Sequence, residues 1–264
     1  IFNYWLFGKA ETHYTEIFLG IGLLYGIGFT AMCLKVKEGN YPPPPPVPPS
    51  RAGGLVAAVK TYFRESFSQP YYLWIYASIA FTWMALLSVN LFNLYFAKKV
   101  NMSMDTYGKY LAATFLISFL LSYLLGILAD KFHPLRMGLV TLSIYIVVTL
   151  AGGLFANDAP SFGIALIAYG VTSGAWQTST ASITLKLFPQ ARFAQFDSAR
   201  ALVSSFGMMA VGPGLGWFLD RNGHDYRHVY LASAGLAALA LLSAWMVYRR
   251  FMKLGGPSGY VAPE

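Results

Sequence analysis

Charge and cysteine are both scarce in this 264-residue sequence. Charged residues make up 11% of it and hydrophobic residues 56%, whereas ordinary soluble domains are roughly 25% charged. This composition excludes a soluble globular protein and indicates a chain that lies mainly in lipid. Cys33 is the single cysteine, so neither an intramolecular disulfide nor a cysteine metal cluster can form.

The sequence also lacks the motifs of common enzyme classes. It contains no Gly-x-x-x-x-Gly-Lys-Ser/Thr phosphate loop, no Gly-x-Ser-x-Gly nucleophile elbow and no His-Glu-x-x-His zinc pair. We expect the four histidines to lie in loops or at helix ends as solvated side chains; they are His13, His133, His224 and His228. We therefore predict that the chain is not an enzyme and binds no metal or other cofactor.

Seven stretches are long and apolar enough to cross a bilayer, whose hydrocarbon core of about 30 Å requires about 20 mainly apolar residues. The predicted spans are 15–34, 71–97, 107–129, 137–156, 161–185, 194–219 and 228–249. The predicted fold class is an all-α membrane protein with seven transmembrane helices. Because the chain begins with Ile1 and not with Met, we expect a fragment or a processed product.

The distribution of Lys and Arg predicts the orientation of these spans, because cytoplasmic loops are enriched in both residues. Twelve lie on one side and six on the other: Lys35, Lys37, Arg51, Lys60, Arg64, Lys131, Arg136, Lys186, Arg192, Arg249, Arg250 and Lys253 against Lys9, Lys98, Lys99, Lys109, Arg221 and Arg227. The C-terminus is therefore expected in the cytoplasm, at the plasma or inner membrane. This bias accounts for the net charge of +8, and without a basic face or arm nucleic acid is not an expected partner.

A proline-rich stretch follows the first span. Residues 42–49 contain seven prolines and should form a stiff polyproline II spacer; a ligand for a partner domain is the alternative. Apolar residues then recur at helical spacing from Leu55 to Phe67 among charged ones, which predicts an amphipathic helix on the cytoplasmic membrane face. We therefore expect an outer segment and one transmembrane helix in 1–34, a cytoplasmic linker in 35–70 and a six-helix bundle in 71–264.

The loop between the third and fourth spans carries the most specific motif. Residues 126–136 are Gly-Ile-Leu-Ala-Asp-Lys-Phe-His-Pro-Leu-Arg. They resemble the signature loop of the major facilitator superfamily, Gly-x-Leu-Ala-Asp-Arg-x-Gly-Arg-Arg, which joins helices 2 and 3 and recurs in degraded form between helices 8 and 9. The matching residues are Gly126, Leu128, Ala129, Asp130 and Lys131, while His133 and Pro134 replace the Gly-Arg pair.

The resemblance implies that the chain is the C-terminal part of a secondary transporter, comprising helix 6, the central loop and helices 7 to 12, with the N-terminal half missing. Residues 187–200 are similar to the loop entering helix 11 in transporters related to sugar:cation symporters. In the family the signature loop is a conformational latch. Gly126 would then permit close helix approach, Asp130 would face a helix N-terminus, and Lys131 and Arg136 would bind carboxylates or anionic lipid; a generic positive-inside turn is the alternative.

Polar stripes on two spans are the candidate solute site, because such transporters bind solutes near the midplane between their halves. The candidates are Trp83, Asn90 and Asn93 on the second span, and Tyr169, Ser173, Trp176 and Gln177 on the fifth. Amides can hydrogen-bond hydroxyl groups, and aromatic rings can stack on a sugar. This pattern predicts an uncharged, hydroxylated solute, such as a sugar. Hydrogen bonds between helices are the alternative role.

Other polar positions have more than one interpretation. Asp197 and Arg200 stand three residues apart at the cytoplasmic start of the sixth span, so they could form an inner gate or a plain interfacial ion pair. On the third span Tyr110, Thr114, Ser118 and Ser122 recur every four residues, which favours a helix contact. The rival to a transporter is a non-transporting membrane scaffold or sensor that uses the proline-rich linker to bind a partner.

Overall fold

The computed structural model describes residues 14–36 and 54–263, and the regular elements of these ranges are helical. The proline run at 42–49 lies outside them. The α-helices are α1 (Tyr14–Lys35), α2 (Gly54–Phe67), α3 (Pro70–Lys99), α4 (Met104–Phe132), α5 (Pro134–Phe155), α6 (Ala159–Thr180), α7 (Ile183–Leu187), α8 (Phe193–Arg221), α9 (Arg227–Lys253) and α10 (Gly256–Gly259). The prediction of an all-α protein is confirmed.

Within the described ranges, six helices are long and apolar enough to cross a membrane, namely α1, α3, α4, α5, α8 and α9. They match six of the predicted spans, so the chain is an integral membrane protein. The other predicted span falls on α6, which has 22 residues and a lower hydropathy because polar residues occupy its second half. The count of seven spans stays a prediction.

The predicted span 161–185 is not one continuous helix, because α6 ends at Thr180 and α7 begins at Ile183. The hydroxyls of Ser179 and Thr180 both donate to the carbonyl oxygen of Trp176, at 3.2 and 2.7 Å. Such side-chain bonds compete with the backbone ladder of a helix. The same kind of bond also occurs inside unbroken helices, as from Thr82 to Ser78, so these bonds accompany the break without accounting for it.

Five long helix contacts order the bundle. α8 packs on α3, α3 on α9, α9 on α5, α5 on α6, and α6 on α4. The outermost helices of this series are α4 and α8. Buried aromatic side chains fill the interior, among them Tyr145, Phe162 and Tyr230. The Tyr145 hydroxyl lies 2.7 Å from the Ser233 hydroxyl, and the Tyr230 hydroxyl donates to Asn93 at 3.0 Å, so these two buried phenols are satisfied inside the bundle.

The interface between α4 and α6 depends on glycine. A Cβ added at Gly163 would overlap the ring of Tyr110, one at Gly170 would overlap Thr114, and one at Gly174 would lie 3.2 Å from the Ser118 hydroxyl. Small residues let helix backbones approach closely in membranes. The predicted helix contact is confirmed at Tyr110, Thr114 and Ser118, whereas the Ser122 hydroxyl donates to Phe119 of its own helix.

We expect Gly170→Ala to destabilise the chain by about 1–3 kcal/mol, the usual cost of overpacking. The new Cβ must displace Thr114 Cγ2. Adding Thr114→Ser removes that methyl group, keeps the hydroxyl and should restore the melting temperature of the purified chain. Gly216→Ala is the matched control, since no atom lies within 4 Å of the added Cβ. Equal effects of Gly170→Ala and Gly216→Ala would show that this contact is not close.

The amphipathic helix expected in the linker is α2. Its Tyr62 hydroxyl lies 2.9 Å from the Ser198 hydroxyl, and the amide of Gln195 donates to Glu65 at 3.1 Å. These bonds attach α2 to the start of α8. At its N-terminal end Leu55 is 82% exposed and Val56 81% exposed, which leaves apolar side chains available to a membrane surface. No described residue of α1 is buried, so α1 does not share the core of the bundle.

Candidate functional site

Polar side chains of α3, α4 and α6 line a cavity of about 270 Å³, here called the amide crevice. Five of the predicted solute ligands line it, namely Asn90, Asn93, Tyr169, Ser173 and Gln177. Sequence analysis missed the α4 wall, which contributes Thr114 and Ser118. Their four-residue spacing was a visible signal, but it indicated only a helix contact.

Two of these candidates already form hydrogen bonds with neighbouring residues. Asn93 is 5% exposed and its Oδ1 accepts the hydroxyl hydrogen of Tyr230 at 3.0 Å. The Tyr169 hydroxyl donates to the carbonyl oxygen of Leu86 at 2.7 Å. Both side chains therefore shape the wall of the crevice. The hydrogen-bonding role expected of them is largely satisfied inside the protein.

Two primary amides remain available in the crevice. Asn90 and Gln177 are both exposed. Among the described residues Asn90 has no hydrogen-bond partner, and Gln177 makes only a long bond of 3.5 Å to the carbonyl oxygen of Ser173. Each amide offers two donors and an acceptor, so these two side chains can bind a hydroxylated solute.

A second cavity of about 260 Å³ adjoins the crevice, because Gln177 lines both. We call it the tryptophan cavity, since Trp83 and Trp176 meet there edge to face with ring centroids 6.2 Å apart. Trp176 is 8% exposed, so packing holds its ring in place. The structure thus brings all seven predicted solute ligands to two adjoining cavities. It also adds Arg200 of α8 to the second one.

Asp197 and Arg200 pair with each other at the start of α8. Arg200 Nε donates to Asp197 Oδ1 at 2.7 Å, and both side chains are partly buried. The sequence left open whether they form a pair or an inner gate. The pair is present, and gating stays a hypothesis.

The residues of the predicted latch lie on the surface of this bundle. Asp130 is exposed and has no ion-pair or hydrogen-bond partner among the described residues. The Arg136 guanidinium lies 6.0 Å from the ring centroid of Tyr248, and Lys131 lies over Phe132. A Cβ at Gly126 would meet nothing within 4 Å. The close helix approach expected at Gly126 is therefore not found in the described part of the chain.

His133 corrects one expectation for this loop, because its side chain is not simply solvated. Its ring lies 4.6 Å from that of Phe251, and Nδ1 accepts the Leu135 backbone hydrogen at 3.2 Å, capping α5. Burial, and then the charges of Lys186 and Arg136, lower its pKa to about 4. Its φ of 77° lies in a region that only glycine enters freely, and the motif that this loop resembles has Gly at the same position.

Comparison with known proteins identifies the family. The family model of the Major Facilitator Superfamily matches residues 2–210 and 92–260, so the chain belongs to that superfamily. It is accordingly a protein of a transporter family and not an enzyme. A comparison with curated proteins found no match.

The fold is similar to that of a solved structure, a bacterial homolog of the human lysosomal transporter Spinster in an inward-facing, unoccupied conformation. The TM-score is 0.55 at 18% sequence identity, over 89% of this chain and 58% of that one. The likeness therefore concerns the fold, and this chain spans little more than half the length of that transporter.

Proposed function

We propose that this chain is the C-terminal part of a secondary transporter that moves a small polar solute by alternating access. In this proposal α1 is helix 6, the linker follows it, and helices 7 to 12 form the bundle, giving seven spans with a cytoplasmic C-terminus in the plasma membrane. The observation that carries the proposal is the pair of available amides, Asn90 and Gln177, on adjoining cavities of one bundle face.

Lipid cannot satisfy these amides. An unpaired polar group in the hydrocarbon core costs several kcal/mol. If this side of the bundle faced lipid, both amides would lower its stability. Residues of α3, α4, α6, α7 and α8 line the two cavities. The match to only 58% of the Spinster homolog leaves room for a further group of helices in the same fold. We infer that a missing N-terminal half supplies the opposite wall.

The chemistry of the walls suggests a hydroxylated solute. Asn90 and Gln177 would bind hydroxyl groups through paired donors and acceptors, and the Trp83–Trp176 pair would stack against a ring. A sugar fits this description. The similarity of residues 187–200 to a loop of transporters related to sugar:cation symporters also favours a sugar. No Asp or Glu lies at mid-depth in α3, α5, α6 or α9. A cation-coupled mechanism would therefore place its coupling carboxylate in the N-terminal half.

The test is uptake by the full-length protein in liposomes. We expect saturable uptake of a labelled hexose or a related polyhydroxylated solute, competed by unlabelled solute and absent from empty liposomes. Imposed proton and sodium gradients then identify symport, since only a coupled cation changes the steady-state accumulation. If no solute in a broad panel moves, the transporter proposal fails and a scaffold or sensor becomes the better explanation.

A further inference from the structure

The tryptophan cavity contains one charged group that a site for a neutral solute does not require. Among the described residues that line it, Arg200 alone is charged; the others are aliphatic, aromatic, amide or hydroxyl side chains. Its side chain is only 20% exposed. A largely buried guanidinium is costly unless its donors are paired, so its position in a cavity indicates a binding partner.

Asp197 satisfies only part of this guanidinium. The bond from Nε to Asp197 Oδ1, 2.7 Å long, holds the side chain in place. Among the described residues no acceptor contacts the two terminal nitrogens of Arg200. A guanidinium has five N–H donors in a rigid fork that matches a carboxylate or phosphate. The terminal nitrogens can therefore bind an anionic group while Asp197 orients them.

The rest of the cavity suits the body of such a solute. Trp83 and Trp176 supply flat apolar surface, and Gln177 connects the cavity to the amide crevice. Each cavity alone is slightly smaller than the roughly 300–1,000 Å³ of common ligand sites, whereas the two together fall within that range. One solute could thus contact Arg200 at one end and Asn90 at the other.

We propose that the transported solute is anionic, a hydroxylated carboxylate or phosphate, and that Arg200 binds its charged group while Asn90 and Gln177 bind its hydroxyls. This proposal rests on the proposed function and changes the predicted solute class from neutral to acidic. It also gives Arg200 a role in recognition instead of a role limited to gating.

The experiment compares matched solutes in the full-length protein in liposomes. The panel is glucose, glucuronate and glucose 6-phosphate, with glycerol, glycerate and glycerol 3-phosphate as a smaller set. We expect at least one acid to be taken up in preference to its neutral parent. Arg200→Gln should lower uptake of that acid by roughly 10-fold to 100-fold at limiting concentration, the range for losing hydrogen bonds to a charged group. Which acid is preferred distinguishes carboxylate from phosphate recognition.

Two variants separate recognition from other roles of this charge. Asp197→Asn removes the partner but keeps the guanidinium, so the preference for the acid should persist. Arg192→Gln removes an exposed charge eight residues earlier in the chain, at the same end of α8, and should leave the preference unchanged. Arg200→Lys keeps the charge without the fork and should recover only part of the acid uptake.

The outcomes are distinct. If a neutral member is preferred and Arg200→Gln does not alter that preference, the acidic solute is wrong while the proposed transporter stands. If Asp197→Asn and Arg200→Gln lower uptake of acid and neutral solute alike, the pair is a gate and the recognition role is wrong. If Arg192→Gln abolishes the preference as well, surface charge explains it. Absence of uptake for all six solutes overturns this proposal, whereas the proposed function is overturned only if no solute of the broader panel is taken up either.

Discussion

The 264-residue chain reconstituted alone should take up no solute above the leak of empty liposomes, even where the full-length protein transports. Alternating access requires two halves that move around a site between them. The amide crevice and the tryptophan cavity are built from α3, α4, α6, α7 and α8 of a single bundle. A solute bound there would have no second wall to close over it, so it could not be carried across.

The control is the same chain co-expressed with the separately encoded upstream half. If the two parts associate, uptake should return to a measurable fraction of that of the full-length protein, which shows that the isolated chain was folded and only incomplete. Uptake by the chain alone would contradict the proposal of a missing half. Circular dichroism of the isolated chain verifies that it is helical before its uptake is measured.

Gln177→Ala in the full-length protein should reduce uptake at limiting solute by roughly 10-fold to 100-fold, because one or two hydrogen bonds to the solute are lost and the solute groups are left unpaired. Gln177 is exposed and lines both cavities, so its removal should affect solute binding more than folding. We expect a melting temperature within a few degrees of that of the parent protein.

Gln190→Ala is the matched control for this substitution. Gln190 is also an exposed glutamine, but it lies near Asp130 and Lys186 on another part of the surface and not in either cavity. Uptake by this variant should equal that of the parent protein. If the Gln177→Ala variant takes up solute as fast as the parent protein, the assignment of the amide crevice as the solute site is wrong, whatever the protein transports.

Much of the fold was predictable from local sequence because the bilayer imposes a length on each helix. The predicted span 71–97 corresponds to α3 at Pro70–Lys99, and the span 194–219 to α8 at Phe193–Arg221. Polar and charged residues end each apolar stretch, so the boundaries agree within a few residues. The break between α6 and α7 was missed, since it falls at Ala181 and Ser182, where no Gly or Pro marks the end of a helix.

The candidate site was predictable only as a helix face. Asn90 and Asn93 lie on one stripe of α3. The Tyr230 hydroxyl donates a hydrogen bond to Asn93, whereas Asn90 is exposed and has no hydrogen-bond partner among the described residues. Helical periodicity places side chains on a face, but it carries no information about which residues of other helices contact them. The same limit explains why Thr114 was recognised as a helix contact and not as a wall of the crevice.

The sequence by itself determined that this is an α-helical membrane protein with a major facilitator signature, because the scarcity of charge, the span lengths and a short loop motif are local properties. Only the tertiary structure decided which polar groups are available to a solute. The pair of Asp197 with Arg200 is local to α8, but the packing placed Arg200 in one cavity with Trp83 and Trp176. That combination depends on how α3, α6 and α8 pack, and packing between distant helices cannot be derived from the pattern within any one of them.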